Sequence, residues 1–245
     1  MDGGGEIRPR FYVPRMFGVE ARRGLRFAGC MSVIALIAPD FTREDAARAR
    51  GATCIVGLDE AGRGPLCGPV TAAAVRLFPG RIPAGLNDSK KLTAAARERL
   101  FDEILANAEC AIAHASVEEI DELNILRASH LAMCRAAAAL PTPPCHALID
   151  GNMIPREFGW PAEAVIGGDA LCLSIAAASI LAKVARDRIM VGLAQQHPGY
   201  GWERNCGYPT REHLEALLNL GVTPHHRRSF KPVHNILYQE VSVSA

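Results

Sequence analysis

Three short apolar runs in this chain stop at carboxylates: CIVGLDE at 54–60, ALID at 147–150 and AVIGGD at 164–169. Runs of this length, bounded by glycine, suit buried strands and are too short for helices. Longer segments of helical character lie between them, so strands and helices alternate, which specifies an α/β fold. In such folds, sites collect beyond the strand ends. Asp59, Glu60, Asp150 and Asp169 occupy those positions. One acid near a glycine is an ordinary turn residue. Four in the same setting point to a shared metal site, because a divalent cation offsets their mutual repulsion. An all-oxygen donor set suits Mg²⁺ or Mn²⁺. Neighbouring side chains on a strand point to opposite faces. Asp59 and Glu60 can therefore share a site only where the backbone turns, and Gly62 and Gly64 supply a turn.

Periodicity and breakers predict strands at 54–58, 70–77, 110–117, 146–149 and 164–166. They predict helices at 42–50, 93–108, 124–140, 173–196 and 210–218, with Thr42 and Thr93 as starts and Pro141 as a stop. The small residues at 176–179 let the long helix press on a sheet. Residues 1–30 form a separate glycine- and arginine-rich segment, read as a disordered basic arm. Met31 is an alternative start. The apolar run at 28–38 is too short to span a bilayer, and no small-x-small cleavage site follows it. No membrane association is expected.

The net charge of the 245 residues is +1, so any polyanion site must be a local patch. Four places qualify as nucleic-acid contacts. Gly62-Arg63-Gly64 offers bare N–H groups around a guanidinium. It is not a phosphate loop: GLDEAGRG lacks the Lys-Ser/Thr pair, and the third glycine of GRGPLCG comes one residue late for G-x-G-x-x-G. The NDSKK segment at 87–91 brings Lys90 ahead of a helix, as a phosphate contact or as a capped helix start. Tyr208, in a loop before another helix, has a ring able to stack on a sugar or base. His225-His226-Arg227-Arg228 reads as a nucleic-acid-facing patch rather than a paired-histidine metal site. The eight cysteines form no C-x-x-C pair, which excludes a zinc ribbon and suits reduced thiols in a cytoplasm.

An ordered series of motifs carries a resemblance. GLDEAGRGPLCGPV (57–70), GLNDSKKL (85–92), EIDELNILRASHLAM (119–133), LIDGN (148–152), GGD (167–169), AASILAKVARD (177–187), GYPT (207–210) and GVTPHHRRSFKPV (221–233) together resemble the type 2 ribonucleases H of the bacterial ribonuclease HII kind. The resemblance implies a ribonuclease H-like mixed five-stranded sheet flanked by helices. It places the catalytic domain at 31–200 and a helical C-terminal extension at 201–245. It implies an endoribonuclease that hydrolyses the RNA strand of RNA–DNA hybrids and cuts 5′ of single ribonucleotides in duplex DNA. Two Mn²⁺ or Mg²⁺ ions would be held by Asp59, Glu60, Asp150 and Asp169, with Asp59 bridging. Products would carry 5′-phosphate and 3′-hydroxyl ends. Gly62, Arg63 and Gly64 resemble the loop that senses the ribose 2′-hydroxyl, Tyr208 the tyrosine that stacks at the RNA–DNA junction, and Lys90 a substrate contact. Asp187 lies outside the catalytic four and is expected to be structural. Gly167 and Cys206 stand where the family often has lysine, which touches phosphate contacts and not the acids. The expected protein is a cytoplasmic monomer acting in ribonucleotide excision. Rival readings are a related nuclease of the same fold and a non-catalytic nucleic-acid-binding protein, which would need the basic patches and not the acids.

Overall fold

The computed structural model of the chain describes residues 38–238. The arm at 1–30 and nearly all of the apolar run after it lie outside the described residues. No helix among the described residues is long and apolar enough to cross a membrane.

The described residues form a five-stranded sheet of order β3-β2-β1-β4-β5. Its strands are β1 (Ile55–Ala61), β2 (Val70–Arg76), β3 (Glu109–Ala115), β4 (His146–Asp150) and β5 (Ala162–Val165). The first three are antiparallel neighbours, while β1, β4 and β5 run parallel. The sheet is therefore mixed, as expected. Central β1 is buried on both faces, which is why it reads as a continuous apolar run.

One face is covered by α3 (Val117–Leu123) and α4 (Ile125–Ala138), with Val56, Leu58, Ala147 and Ile149 packed against Ala128, Ala132 and Ala136. The other is covered by α1 (Thr42–Ala49), α2 (Ala94–Asn107) and the long α5 (Leu173–Gln196). Contact with α5 is closest at Gly57, where an added Cβ would lie 2.2 Å from the Ser174 carbonyl carbon. Only glycine permits that approach. The α5 N-terminus is fixed by Glu44 of α1, whose Oε1 accepts from Ser174 N–H at 2.9 Å and from its hydroxyl at 2.6 Å. A carboxylate there satisfies orphan donors and the helix dipole together. The helices α6 (Trp202–Asn205), α7 (Arg211–Leu220) and α8 (Lys231–Tyr238) follow; Trp202, Leu217 and Val233 pack with Leu66, Cys67 and Met190.

Four sequence expectations are corrected. First, β1 does not stop at Leu58. Its pairing with β2 continues through Glu60↔Ala72 and Ala61↔Thr71, so the backbone stays extended past both acids. Second, the third strand ends at Ala115, and Val117 opens α3 instead. Ser116 and Glu119 form a capping box there, a Ser-x-x-Glu signal present in the sequence. Third, β5 starts two residues earlier than expected and ends one earlier, at Val165, opposite Asp150. Beyond that point β4 offers no partner, and Ile166 is 76% exposed. Fourth, α6 and α8 were not foreseen.

Candidate active site

The pleat separates the first two acids. Ile55 and Gly57 face α5, whereas Val56 and Leu58 face α4. Period two then sends Asp59 to the α5 face and Glu60 to the α4 face. The parallel register Leu58↔Ile149 brings Asp59 level with Asp150 on the adjoining strand. Asp150 Oδ1 accepts from Gly168 N–H at 2.7 Å and from Asp169 N–H at 3.4 Å, which ties the β5–α5 connection to β4. Gly168 has no room for a side chain, since a Cβ would lie 2.5 Å from Ile175 Cδ1. Asp59, Asp150 and Asp169 thus gather on the α5 face at the end of the parallel strands. Glu60 approaches them around the end of the sheet, where its side chain also meets Arg63 Nη1 at 3.3 Å. The expected turn between Asp59 and Glu60 is absent, and the exposed strand end takes its place.

These carboxylates are only partly compensated. Burial, then Glu60, Asp150 and Asp169, holds the Asp59 carboxyl well above the ordinary carboxylate range. Burial raises Glu60 as well, against the opposing pull of Arg63. Burial and Asp169 raise Asp150. Among the described residues, the cation bonded to an aspartate of this group is Lys90, whose Nζ lies 3.0 Å from Asp169 Oδ2. Its side chain is 78% exposed, yet its ammonium leans on the acids. Desolvation opposes that charge, but Asp169, Asp88 and Asp59 outweigh it and raise the Lys90 pKa. The preceding segment is capped too: Asp88 accepts from Lys90 N–H, and Thr93 caps α2. The capped-helix-start reading of NDSKK therefore holds for Asp88 and Thr93, while Lys90 lies beside the acids.

Gly62, at φ +95°, turns the chain out of β1. The loop it opens is held from beneath by two buried arginines: Arg186, which the sequence reading did not single out, and Arg227, which it placed in a surface patch. Arg227 donates to the carbonyls of Gly62, Arg63, Pro65, Gly68 and Pro69 at 2.6–3.2 Å. Arg186 of α5 donates to those of Cys67, Pro69 and Cys206 at 2.9–3.1 Å. Burial, then the neighbouring Arg186 charge, lowers the Arg227 pKa to about 9. These contacts correct the reading of 225–228 as a nucleic-acid-facing patch: His226 and Arg227 are buried, and only Arg228 is exposed. Arg186 lies in the charged stretch Lys183–Arg188, so nothing local in the sequence marked it for burial. Asp187 pairs with Lys183 at 2.8 Å, a helix-surface ion pair.

The loop meets Tyr208. A Cβ on Gly64 would lie 3.3 Å from the tyrosine ring, which is 44% exposed. The Gly62–Gly64 loop and Tyr208, 144 residues apart in sequence, thus form one surface next to the acids. A second cluster, Cys67, His213 and His226, places its ligand atoms within 4.8 Å of one another. Hydrogen bonds account for it. His213 Nδ1 bonds the Tyr208 carbonyl, so its Nε2 accepts from Trp202 Nε1–H at 3.0 Å. Thr223 N–H donates to His226 Nδ1, leaving His226 Nε2–H to donate to His213 Nε2 at 3.1 Å. Burial, then His213, pushes the His226 pKa down to about 3, so that ring stays neutral, and burial lowers the His213 pKa as well.

The family model described as Ribonuclease HII matches residues 56–233, a span containing every one of these side chains. The chain belongs to the ribonuclease HII family. A ribonuclease HII of Cereibacter sphaeroides is 75% identical over 206 residues, covering 84% of this chain and 97% of that protein. One of Paracoccus denitrificans is 67% identical over 202 residues, covering 82% and 96%. Among solved structures, the ribonuclease H2 of Pyrococcus horikoshii superposes with a TM-score of 0.63 at 28% identity, covering 75% of this chain and 97% of that one. Ribonuclease HII membership makes the chain an endoribonuclease acting on RNA–DNA hybrids, with a dependence on divalent metal.

Proposed function

We propose that the chain cuts the RNA strand of hybrids, and 5′ of single ribonucleotides in duplex DNA, at the carboxylates Asp59, Glu60, Asp150 and Asp169. The observation that carries this reading is the meeting of four undercompensated acids with the Gly62–Gly64 loop and Tyr208. The donor set fits hard divalent cations: it is all oxygen, and burial leaves its charge in need of a counter-ion. Bound there, two Mg²⁺ or Mn²⁺ ions would activate water and stabilise the leaving 3′-oxygen, giving 5′-phosphate and 3′-hydroxyl ends.

The protein's own contribution is position. Asp59 and Asp150 sit on paired strands, so their separation is set by the sheet. Asp169 is held by the backbone bonds to Asp150 and by Lys90. Lys90 offers donors to a phosphate when a cation takes over its pairing with Asp169. The backbone N–H groups of Gly62–Gly64 are suited to reading a 2′-hydroxyl without regard to base, since that hydroxyl distinguishes RNA from DNA. Tyr208 braces the loop and presents its ring to the adjoining sugar. Seven free cysteines among the described residues support a reducing compartment, the cytoplasm.

The test is cleavage of a DNA duplex carrying one ribonucleotide, with Mn²⁺ or with EDTA and with product ends mapped. Cleavage only with metal, on the 5′ side of the ribonucleotide, is expected. Tyr208→Ala should lower kcat/KM on that substrate about tenfold to a hundredfold, the size of one lost stacking contact. An unchanged rate would remove Tyr208 from the site.

A further inference from the structure

On the α4 face of the sheet there is a cleft. It lies between α4 and residues 151–160, which leave Asp150, and encloses about 550 Å³. That is the size of a ligand site. One wall carries Arg127 and His130; the other carries Arg156 with Met153 and Ile154, which are 48% and 42% exposed. Two features relate the cleft to the loop site. Met153 is three residues past Asp150, and the Arg63 charge adds to burial in lowering the His130 pKa.

Its charge is unspent. Several exposed arginines elsewhere are paired, as Arg43 is with Glu163, Arg99 with Glu103, Arg188 with Glu98 and Arg211 with Glu215. Arg127 and Arg156 have no side-chain partner among the described residues, and the cleft holds a single acid, Glu157. Two guanidinium groups without partners keep their donor forks for an external anion. Adjacent exposed Met and Ile side chains beside them suit the flat apolar face of a sugar or base.

We propose that this cleft holds the cleaved strand beyond the scissile phosphate, with Arg127 and Arg156 on backbone phosphates and Met153 and Ile154 against the sugars and bases between them. The inference rests on the nuclease reading above. It adds a binding region along α4, separate from the Tyr208 contact at Gly64.

The test compares the parent, the Arg127→Gln/Arg156→Gln double variant and an Arg81→Gln control on a long RNA–DNA hybrid, at several salt concentrations. Arg81 is also exposed, but follows β2 at the opposite end of the sheet. The double variant should keep kcat and raise KM about tenfold or more. Its plot of log(kcat/KM) against log[salt] should be shallower by about 1.5–2, since each lost phosphate contact removes nearly one unit. The control should match the parent. A double variant with the parent's KM and salt slope, or one that loses kcat at unchanged KM, overturns the inference. A parent that leaves the hybrid intact overturns the nuclease reading instead.

Discussion

Asp59→Asn should remove nearly all metal-dependent hydrolysis while making the metal-free protein more stable at pH 8. Asn keeps the shape and an Oδ1, so the 2.7 Å bond from Glu60 N–H survives. What it removes is one negative charge that is 5% exposed and faces three others. Losing a charge that holds the cation forfeits several kcal/mol of transition-state stabilisation, or on the order of a thousandfold in kcat. The stability effect has the opposite sign. An acid whose folded pKa is raised binds its proton more tightly in the folded state. Its contribution is fully present below the ordinary value near 3.8 and is lost as pH rises through the raised pKa. At pH 8 the metal-free parent carries that loss, and the amide does not. Saturating Mn²⁺ should restore the parent by about 2.7 kcal/mol at a hundredfold excess over Kd, and the variant by less. Two melting curves in EDTA, two in Mn²⁺ and one hybrid-cleavage assay check the set. Near-parent turnover by Asp59→Asn would remove Asp59 from the metal site. A parent melting temperature indifferent to Mn²⁺ would count against the site as a whole.

The acids were legible in the sequence because burial leaves a mark there. CIVGL and ALI are apolar on both sides, so the carboxylates closing them stand out. The sequence could not show that Asp59 and Glu60 lie on opposite faces of an unbroken strand. That depends on how far β2 pairs with β1, a long-range property. The end of β5 was misplaced for the same reason, since its last residue is set by Asp150 on β4. The capping box of α3 was local and readable, and a preference for extending β3 hid it. Arg186 and Arg227 are a different case. Their partners are backbone carbonyls, which leave no complementary side chain to find. A basic run such as HHRR looks like a solvated patch until the fold buries its middle.

That buried middle sets the second large effect. Arg227→Met should lower the melting temperature by about 10 °C, and should lower hybrid cleavage further than the lost folded fraction explains. The two opposing contributions can be weighed. Burying the guanidinium beside Arg186 is unfavourable, as its lowered pKa shows. Replacing buried charges by apolar groups is often neutral or stabilising when both partners are replaced together. Here the partners remain. Five carbonyls between Gly62 and Pro69 would lose a bond at once, and only that of Pro69 keeps an arginine donor, Arg186. Hydrogen bonds to a charged group contribute about 1.5–3 kcal/mol each, and a buried acceptor left bare costs about 1–3 kcal/mol. Water entering the loop recovers part of this, so a net loss of about 3–5 kcal/mol is expected. For a chain of this size each kcal/mol is worth about 2–4 °C. Lysine is no substitute: its ammonium has three donors and no fork. The loss should also be local before it is global. Amide exchange at 62–69 should quicken while β1 and β4 stay protected, because Arg227 holds the loop and not the sheet. The Gly62–Gly64 amides would then lose the fixed positions needed to read one hydroxyl. A variant that melts within about 1 °C of the parent, with slow exchange across the loop, would show that the cradle is not what orders it.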